Sequence, residues 1–293
     1  MDVARNRIGG FGRILTKFTA RAIGGLPAGA RQWLTSGVGR MLFVVWRSRR
    51  RLAIYWAARA LGVPVGDREA RRVARRSFVN FGRFCMDFVA SSRLAAHEHV
   101  HRLVAVRNGA AIDQIAAGDG GCLFLTGHIG NWEILGSWLA TRAGPTRRLR
   151  VVALPLEVDC FDDIAHGIRQ QHGFDAISTV GGAREVLRSL RAGDWVAALV
   201  DRPVSAINER VEFLGRVGPY PVGIARLAGR ARVPIVMGAC WETGRSVYEA
   251  EIWAPFKLTH NSDGGDISRK VAANLEAMVR RHPDQWYIAF TSG

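Results

Sequence analysis

Acidic residues are scarce in the first quarter of this sequence. Residues 1–76 hold seventeen arginines and lysines against Asp2, Asp67 and Glu69, so +14 of the net charge of +16 falls there. Also missing is any charge-free apolar run of about 18 residues. Arg40, Arg47, Arg49, Arg50, Arg51 and Arg59 interrupt the best candidate, which argues against a spanning helix. Residues 1–13 are polar and glycine-broken where a signal peptide needs an apolar core, so the expectation is a protein that stays on the cytoplasmic side. Neither GxGxxG nor GxxxxGK[ST] occurs, which removes the usual support for a nucleotide site. The four cysteines, Cys85, Cys122, Cys160 and Cys240, form no CxxC pair and read as reduced, mostly buried thiols rather than zinc ligands or a redox couple. No serine or cysteine sits in a GxSxG-type elbow, so a covalent acyl-enzyme is not indicated.

What is present is enough to build a full core: 293 residues, 48% of them hydrophobic, fit one large α/β domain with an attached segment. The basic block is interleaved with Phe11, Phe18, Trp33, Phe43, Trp46, Tyr55 and Trp56, and it carries no recognisable nucleic-acid motif. Arginine mixed with large apolar side chains suits an anionic membrane surface, where each basic residue contributes about 1 kcal/mol and tryptophan settles at headgroup depth. Residues 1–62 are therefore read as basic amphipathic helices that dock on a membrane. The first of them carries Ile8, Phe11, Leu15, Phe18 and Ile23 at near-helical spacing. Residues 63–293 form the α/β domain, opening with Asp67 as N-cap of a helix over 68–92.

From about residue 121 short apolar runs alternate with amphipathic stretches. CLFLTG (122–127), LRVVALP (149–155), DAISTV (175–180), WVAALVD (195–201), VPIVMGAC (233–240) and YEAEIW (248–253) read as strands. Helical patterns lie at 131–143, 160–172, 182–192, 220–230 and 266–281. Such alternation implies an α/β fold with a mainly parallel sheet covered by helices on both faces, its reactive residues gathered at the carboxyl edge of the strands.

Two segments end at that edge. One is TGHIGNWEIL (126–135), with His128 and Glu133 five positions apart; the other is Asp201-Arg202, after WVAALV. On a regular helix a five-residue separation puts side chains about 140° apart, so the pair meets only if His128 lies in a turn. Gly127 and Gly130 permit such a turn, Asn131 is a good N-cap, and Glu133 then falls in the first helical turn, where the dipole favours a carboxylate. From there it is expected to reach one imidazole nitrogen and leave the other free as a base. The bland reading of the same spacing is a helix-capping histidine and an exposed glutamate.

GHIGNWEILGSW resembles the signature of the bacterial lipid A biosynthesis (late) acyltransferase family, whose HxxxxD/E motif matches His128 and Glu133. DRPV (201–204), VEFLGR (211–216), GIARLAGRARVPIV (223–236) and LEAMVRRHPDQWY (275–287) are similar to later landmarks of that family in the same order. The resemblance covers roughly residues 40–290. It implies a glycerolipid-acyltransferase-like fold. The implied reaction moves a fatty acyl chain from an acyl carrier protein or coenzyme A thioester to a hydroxyl of a lipid acceptor, at the cytoplasmic face of a bacterial inner membrane. His128 is then the general base and Glu133 its partner. Arg202 beside Asp201 contacts phosphate or developing negative charge, and Gly130 and Asn131 shape the turn. No metal, bound cofactor or nucleic acid is implied. In one departure, the family's arginine after the second sheet strand is missing from VVALPLEVD (151–159), and Arg169 is the candidate substitute in substrate binding. Lipid A-type glycolipids, phosphatidylinositol mannosides and other amphiphiles all remain open as acceptors.

Two other classes compete. His97-Glu98-His101 matches HExxH, the pattern of a zinc hydrolase, though no third ligand is evident downstream. A non-catalytic basic protein binding membrane or nucleic acid would leave the sheet-edge residues dispensable. For the acyl chain itself, Phe78, Phe81, Phe84, Phe88, Trp138 and Leu139 are candidates for a groove wall or, equally, plain core.

Overall fold

The computed structural model describes residues 25–91, 100, 103–153, 159–178, 181–202, 208–221, 223–244, 246–257 and 264–291. The basic helix expected around residues 8–23 and the His97-Glu98-His101 motif lie outside the described residues.

Three helices come first: α1 (Ala28–Val45), α2 (Arg47–Leu61) and α3 (Arg68–Ser91). Asp67 accepts the Glu69 amide at 2.7 Å, as a residue at the N-cap does. Small side chains let the three approach closely. Ala53, Ala57 and Ala58 of α2 pack with Ala70, Val73, Ala74 and Phe78 of α3 and with Phe43 of α1 in one buried cluster. Gly39 of α1 meets the α3 backbone so closely that an added Cβ would lie 2.8 Å from the Val79 Cα.

The rest is the expected α/β alternation. The strands are β1 (Val104–Arg107), β2 (Cys122–Thr126), β3 (Leu149–Ala153), β4 (Phe174–Ser178), β5 (Trp195–Leu199), β6 (Asn208–Phe213), β7 (Arg216–Pro221), β8 (Ile235–Gly244) and β9 (Val247–Ile252). Between and after them lie α4 (Ala110–Ala116), α5 (Trp132–Ala143), α6 (Asp159–Gln171), α7 (Ala183–Arg191), α8 (Gly223–Ala231), α9 (Gly264–Arg281) and α10 (Ile288–Thr291). The seven-stranded sheet runs β1-β9-β8-β2-β5-β3-β4. Strands β8, β2, β5, β3 and β4 are mutually parallel, β9 returns antiparallel to β8, and β1 follows β9.

The central strands are buried on both faces, so they are continuously apolar instead of alternating: all five residues of β2 are buried. Leu123, Leu125, Val196 and Ala198 face α7, α8 and α9, while Phe124, Ala197 and Cys122 face α5. Among the strands, two features were not anticipated. β1 is only four residues long, and β6–β7 is a separate antiparallel hairpin whose second strand holds Pro219 and Pro221.

Candidate functional site

β2 is central in the sheet, and the loop leaving its carboxyl end is held from two sides. The Gly130 amide donates to the Gln285 carbonyl and the Asn131 amide to the Cys240 carbonyl, both at 2.8 Å. The Tyr287 amide donates to the His128 carbonyl at 2.8 Å. Gly130 has φ +56°, and a Cβ there would stand 1.9 Å from the Cys240 carbonyl oxygen, so glycine is required for both reasons. Asn131 caps α5 as expected, its side-chain oxygen accepting the Ile134 amide at 3.0 Å.

His128 thus lies in the turn. Its Nδ1 is 2.7 Å from Asp201 Oδ1, and its own backbone amide donates to Asp201 Oδ2 at 2.7 Å. The Trp286 indole donates to the same Oδ2 at 2.9 Å. The Asp201 side chain has no solvent exposure and that of His128 has 16%. Burial pushes the Asp201 carboxyl up, but the charge of the His128 ring when protonated, the hydrogen bonds from that ring and from the His128 amide, and the Trp286 indole outweigh it and hold the group below the ordinary carboxylate range. Being ionised, Asp201 accepts only, so Nδ1 carries the proton. Nε2 makes no hydrogen bond with any described residue and is the nitrogen left to act as a base. The ring also meets Trp132 edge-on at 5.2 Å, and Trp132 continues to Phe84 at 4.1 Å.

The carboxylate on the imidazole is therefore Asp201, 73 positions away, and not Glu133. Glu133 starts α5 as expected, but its oxygens take both Arg169 Nε (3.1 Å) and Nη2 (2.5 Å), with the Trp132 indole at 3.2 Å. The reason is geometric: α6 brings a planar guanidinium alongside the first turn of α5, and a two-point fork outcompetes a backward reach to the loop. Glu133 and Arg169 side chains are 8% and 17% exposed. Burial draws the Arg169 guanidinium's pKa down, yet the Glu133 carboxylate pulls it above its ordinary value. Arg169 is consequently occupied by Glu133 rather than free for a substrate.

Arg202 follows Asp201 and is half-buried. Burial lowers its pKa, the Asp201 charge raises it, and Arg49 of α2 lowers it again, which places a second guanidinium within electrostatic range. Arg49 donates to the Ala289 carbonyl at 3.1 Å, in the same C-terminal segment that supplies Trp286. Sequence reasoning missed Arg49, which it counted only as membrane charge, and Trp286, which stood in the QWY landmark without a role.

Of the groove candidates, Phe81 stacks on Phe290 at 4.5 Å and Phe78 meets Phe43 and Phe290, so these rings tie α3 to α1 and α10. A small cavity of about 40 Å³ lies instead between α5 and the sheet, lined by Trp132, Leu135, Leu139, Val151, Phe174 and Leu199 among others, with Glu133 and Arg169 at its polar side. Of the six candidates only Leu139 borders it.

A second buried histidine contact, unseen in the sequence, joins Ser137 Oγ to His172 Nδ1 at 2.5 Å, with the Ser91 carbonyl on Nε2 at 3.1 Å. Both side chains are buried, and the contact fastens α3, α5 and α6. Burial also pushes the Cys85 and Cys122 thiols up to about 12 and Cys240 higher still, leaving no nucleophilic thiolate among them. Among the described residues no group of three or more His, Cys, Asp or Glu is placed to hold a metal.

Fold and site together define an α/β protein with an oriented imidazole at the carboxyl edge of a largely parallel sheet. The model of the bacterial lipid A biosynthesis acyltransferase family matches residues 8–289, and the chain belongs to that family. It is 27% identical over 281 residues to a phosphatidylinositol mannoside acyltransferase of Mycolicibacterium smegmatis, covering 92% of this chain and 84% of that one. Proteins of the same description from two strains of Mycobacterium tuberculosis are 29% identical over 178 residues, 59% of this chain. The chain spans about half the length (54%) of those two.

Proposed function

We propose that this protein transfers a fatty acyl chain from an acyl thioester to a hydroxyl of a glycolipid, the mannosylated phosphatidylinositol class being favoured by the relatives' names. The observation that carries the proposal is His128, with Nδ1 locked on a buried ionised Asp201 and Nε2 left to take a proton. In this reading Nε2 removes the acceptor hydroxyl proton as the oxygen attacks the thioester carbonyl. The tetrahedral intermediate collapses by breaking the C–S bond, and the departing thiolate takes the proton back from the imidazolium. Atoms balance as ester plus thiol, with no acyl-enzyme. Asp201 fixes the tautomer and stabilises the imidazolium. Glu133 and Arg169 are positioning residues that clamp the first turn of α5 and with it Trp132 against the imidazole. Arg202, with Arg49 nearby, faces the negative charge that develops on the carbonyl oxygen or the phosphate of the acceptor.

The same reading places the protein on the cytoplasmic face of a bacterial membrane as a peripheral enzyme. No helix among the described residues is long and apolar enough to cross a membrane. α1, however, exposes Trp33 at 80%, with Met41, Val44, Val45 and the following Trp46 also exposed. Large side chains at such spacing, beside Arg40 and Arg47, suit a helix lying in the interface. The decisive experiment is acyl transfer by the full chain to purified mannosylated phosphatidylinositol, read by mass spectrometry. Product that disappears in His128→Ala is expected; undiminished product in that variant overturns the mechanism. Vesicles of phosphatidylglycerol test the docking: Trp33→Ser with Met41→Ser is expected to weaken binding about tenfold or more, since each buried apolar side chain contributes roughly 1.5–3 kcal/mol.

A further inference from the structure

Outside the first 76 residues the sequence is nearly charge-balanced, yet the fold separates the charges. α7 and α8 pack side by side on one face of the sheet through Val186, Leu190, Ala225 and Ala228. Their outer surfaces carry Arg184, Arg188 and Arg191 on α7, at i, i+4 and i+7, and Arg226 and Arg230 on α8, with Arg232 just beyond; all six are exposed. Only one acidic residue lies in these two helices, Glu185, and it turns to Arg150. Glu209 pairs with Arg226. No described carboxylate forms an ion pair with the other five.

We infer that this arginine face of α7 and α8 is the docking surface for a small acidic carrier protein that brings the acyl thioester. The inference rests on the acyl-transfer reading above and chooses among its donors. Four observations carry it. The stripe on α7 alone runs about 10 Å, and the neighbouring helix sets the second row some 8–10 Å away, an area matched to an acidic helix rather than to one phosphate cluster. Every cation in it is arginine, whose planar fork takes carboxylates two-pointed. The face has neither an exposed large apolar side chain nor an aromatic one, so it lacks both the anchors of a bilayer-inserting surface and the stacking platforms of a nucleic-acid site. Finally, its position fits delivery. α7 starts where β4 ends, at the same sheet edge as His128, and β4 lies three strands from β2, roughly 14 Å at normal strand spacing. A carrier seated there has only a short span to bridge from the start of α7 to His128 along this edge.

The test compares palmitoyl-loaded acyl carrier protein with palmitoyl-coenzyme A as donors for wild type and for Arg184→Glu/Arg188→Glu/Arg191→Glu. The triple Gln variant serves as a milder control and melting temperature as the check on folding. The expected result is a KM for the carrier-protein donor at least tenfold higher in the Glu variant and a smaller rise in the Gln variant. The KM for palmitoyl-coenzyme A and phosphatidylglycerol vesicle binding should stay within twofold. Titration of labelled carrier protein, independent of turnover, is expected to show binding that weakens with salt and with the substitutions. Unchanged KM and binding, an equal loss with both donors, or a loss confined to vesicle or DNA binding would overturn the inference. Carrier binding without turnover by the wild type would instead count against the acyl-transfer reading and leave the docking surface standing.

Discussion

Two charged pairs stand at the same sheet edge and differ in what surrounds them. In the His128 pair the carboxylate is sealed, takes three hydrogen bonds, from the imidazole, a backbone amide and an indole, and leaves one ring nitrogen open. In the Glu133 pair both partners are charged, mutually saturated and set in the packing of α5 on α6. Open valence marks chemistry, and saturation marks support. The sequence motif names one member of each pair, and that is why spacing alone joined the wrong two.

Substitutions can separate the two. The largest effect is expected from His128→Ala, which removes the base itself: turnover should fall at least about 10⁴-fold while the melting temperature stays near wild type. Asp201→Asn keeps the shape but removes the charge that selects the tautomer, and turnover should fall about 10⁴-fold, as in other His–Asp pairs, with KM little changed. Glu133→Ala is expected to act differently: it strands Arg169 and costs about 3–5 kcal/mol of stability in denaturant titrations, whereas Glu133→Leu with Arg169→Met recovers most of it. Full stability in Glu133→Ala would show that the pair is not a brace. Gly130→Ala should lose about 1–3 kcal/mol from backbone conformation alone, plus the clash with Cys240.

The smallest effect is on pH. Asp201 has a folded-state pKa below its unfolded value, near 3.9, so its contribution to stability is fully present above that value and is lost as pH falls through the lowered one. Acid melts of wild type and Asp201→Asn should converge at the low end of the range; parallel curves would contradict the assignment.

Much of the fold was legible because it is written locally. Six strands and five helices of the α/β part lie where apolar runs and helical periodicity put them, since the doubly covered sheet demands continuous apolar strands. The antiparallel hairpin was hidden by Pro219 and Pro221, which argue against a central strand and are tolerated in a two-stranded one. β1 is too short to show periodicity. At the site, His128, Gly130 and Asn131 were placed correctly because a turn and a helix cap are matters of neighbouring residues.

The partners were another matter. Asp201 and Trp286 reach the loop from β5's end and from the C-terminal segment, and Arg49 comes within electrostatic range of Arg202 from α2, across separations that no local pattern encodes. The amino-acid order determined the elements, the turn and the family. Which carboxylate meets the imidazole, and which faces gather the arginines, was decided only when the sheet brought distant segments together, because a hydrogen bond or an ion pair depends on distance in space and not along the chain.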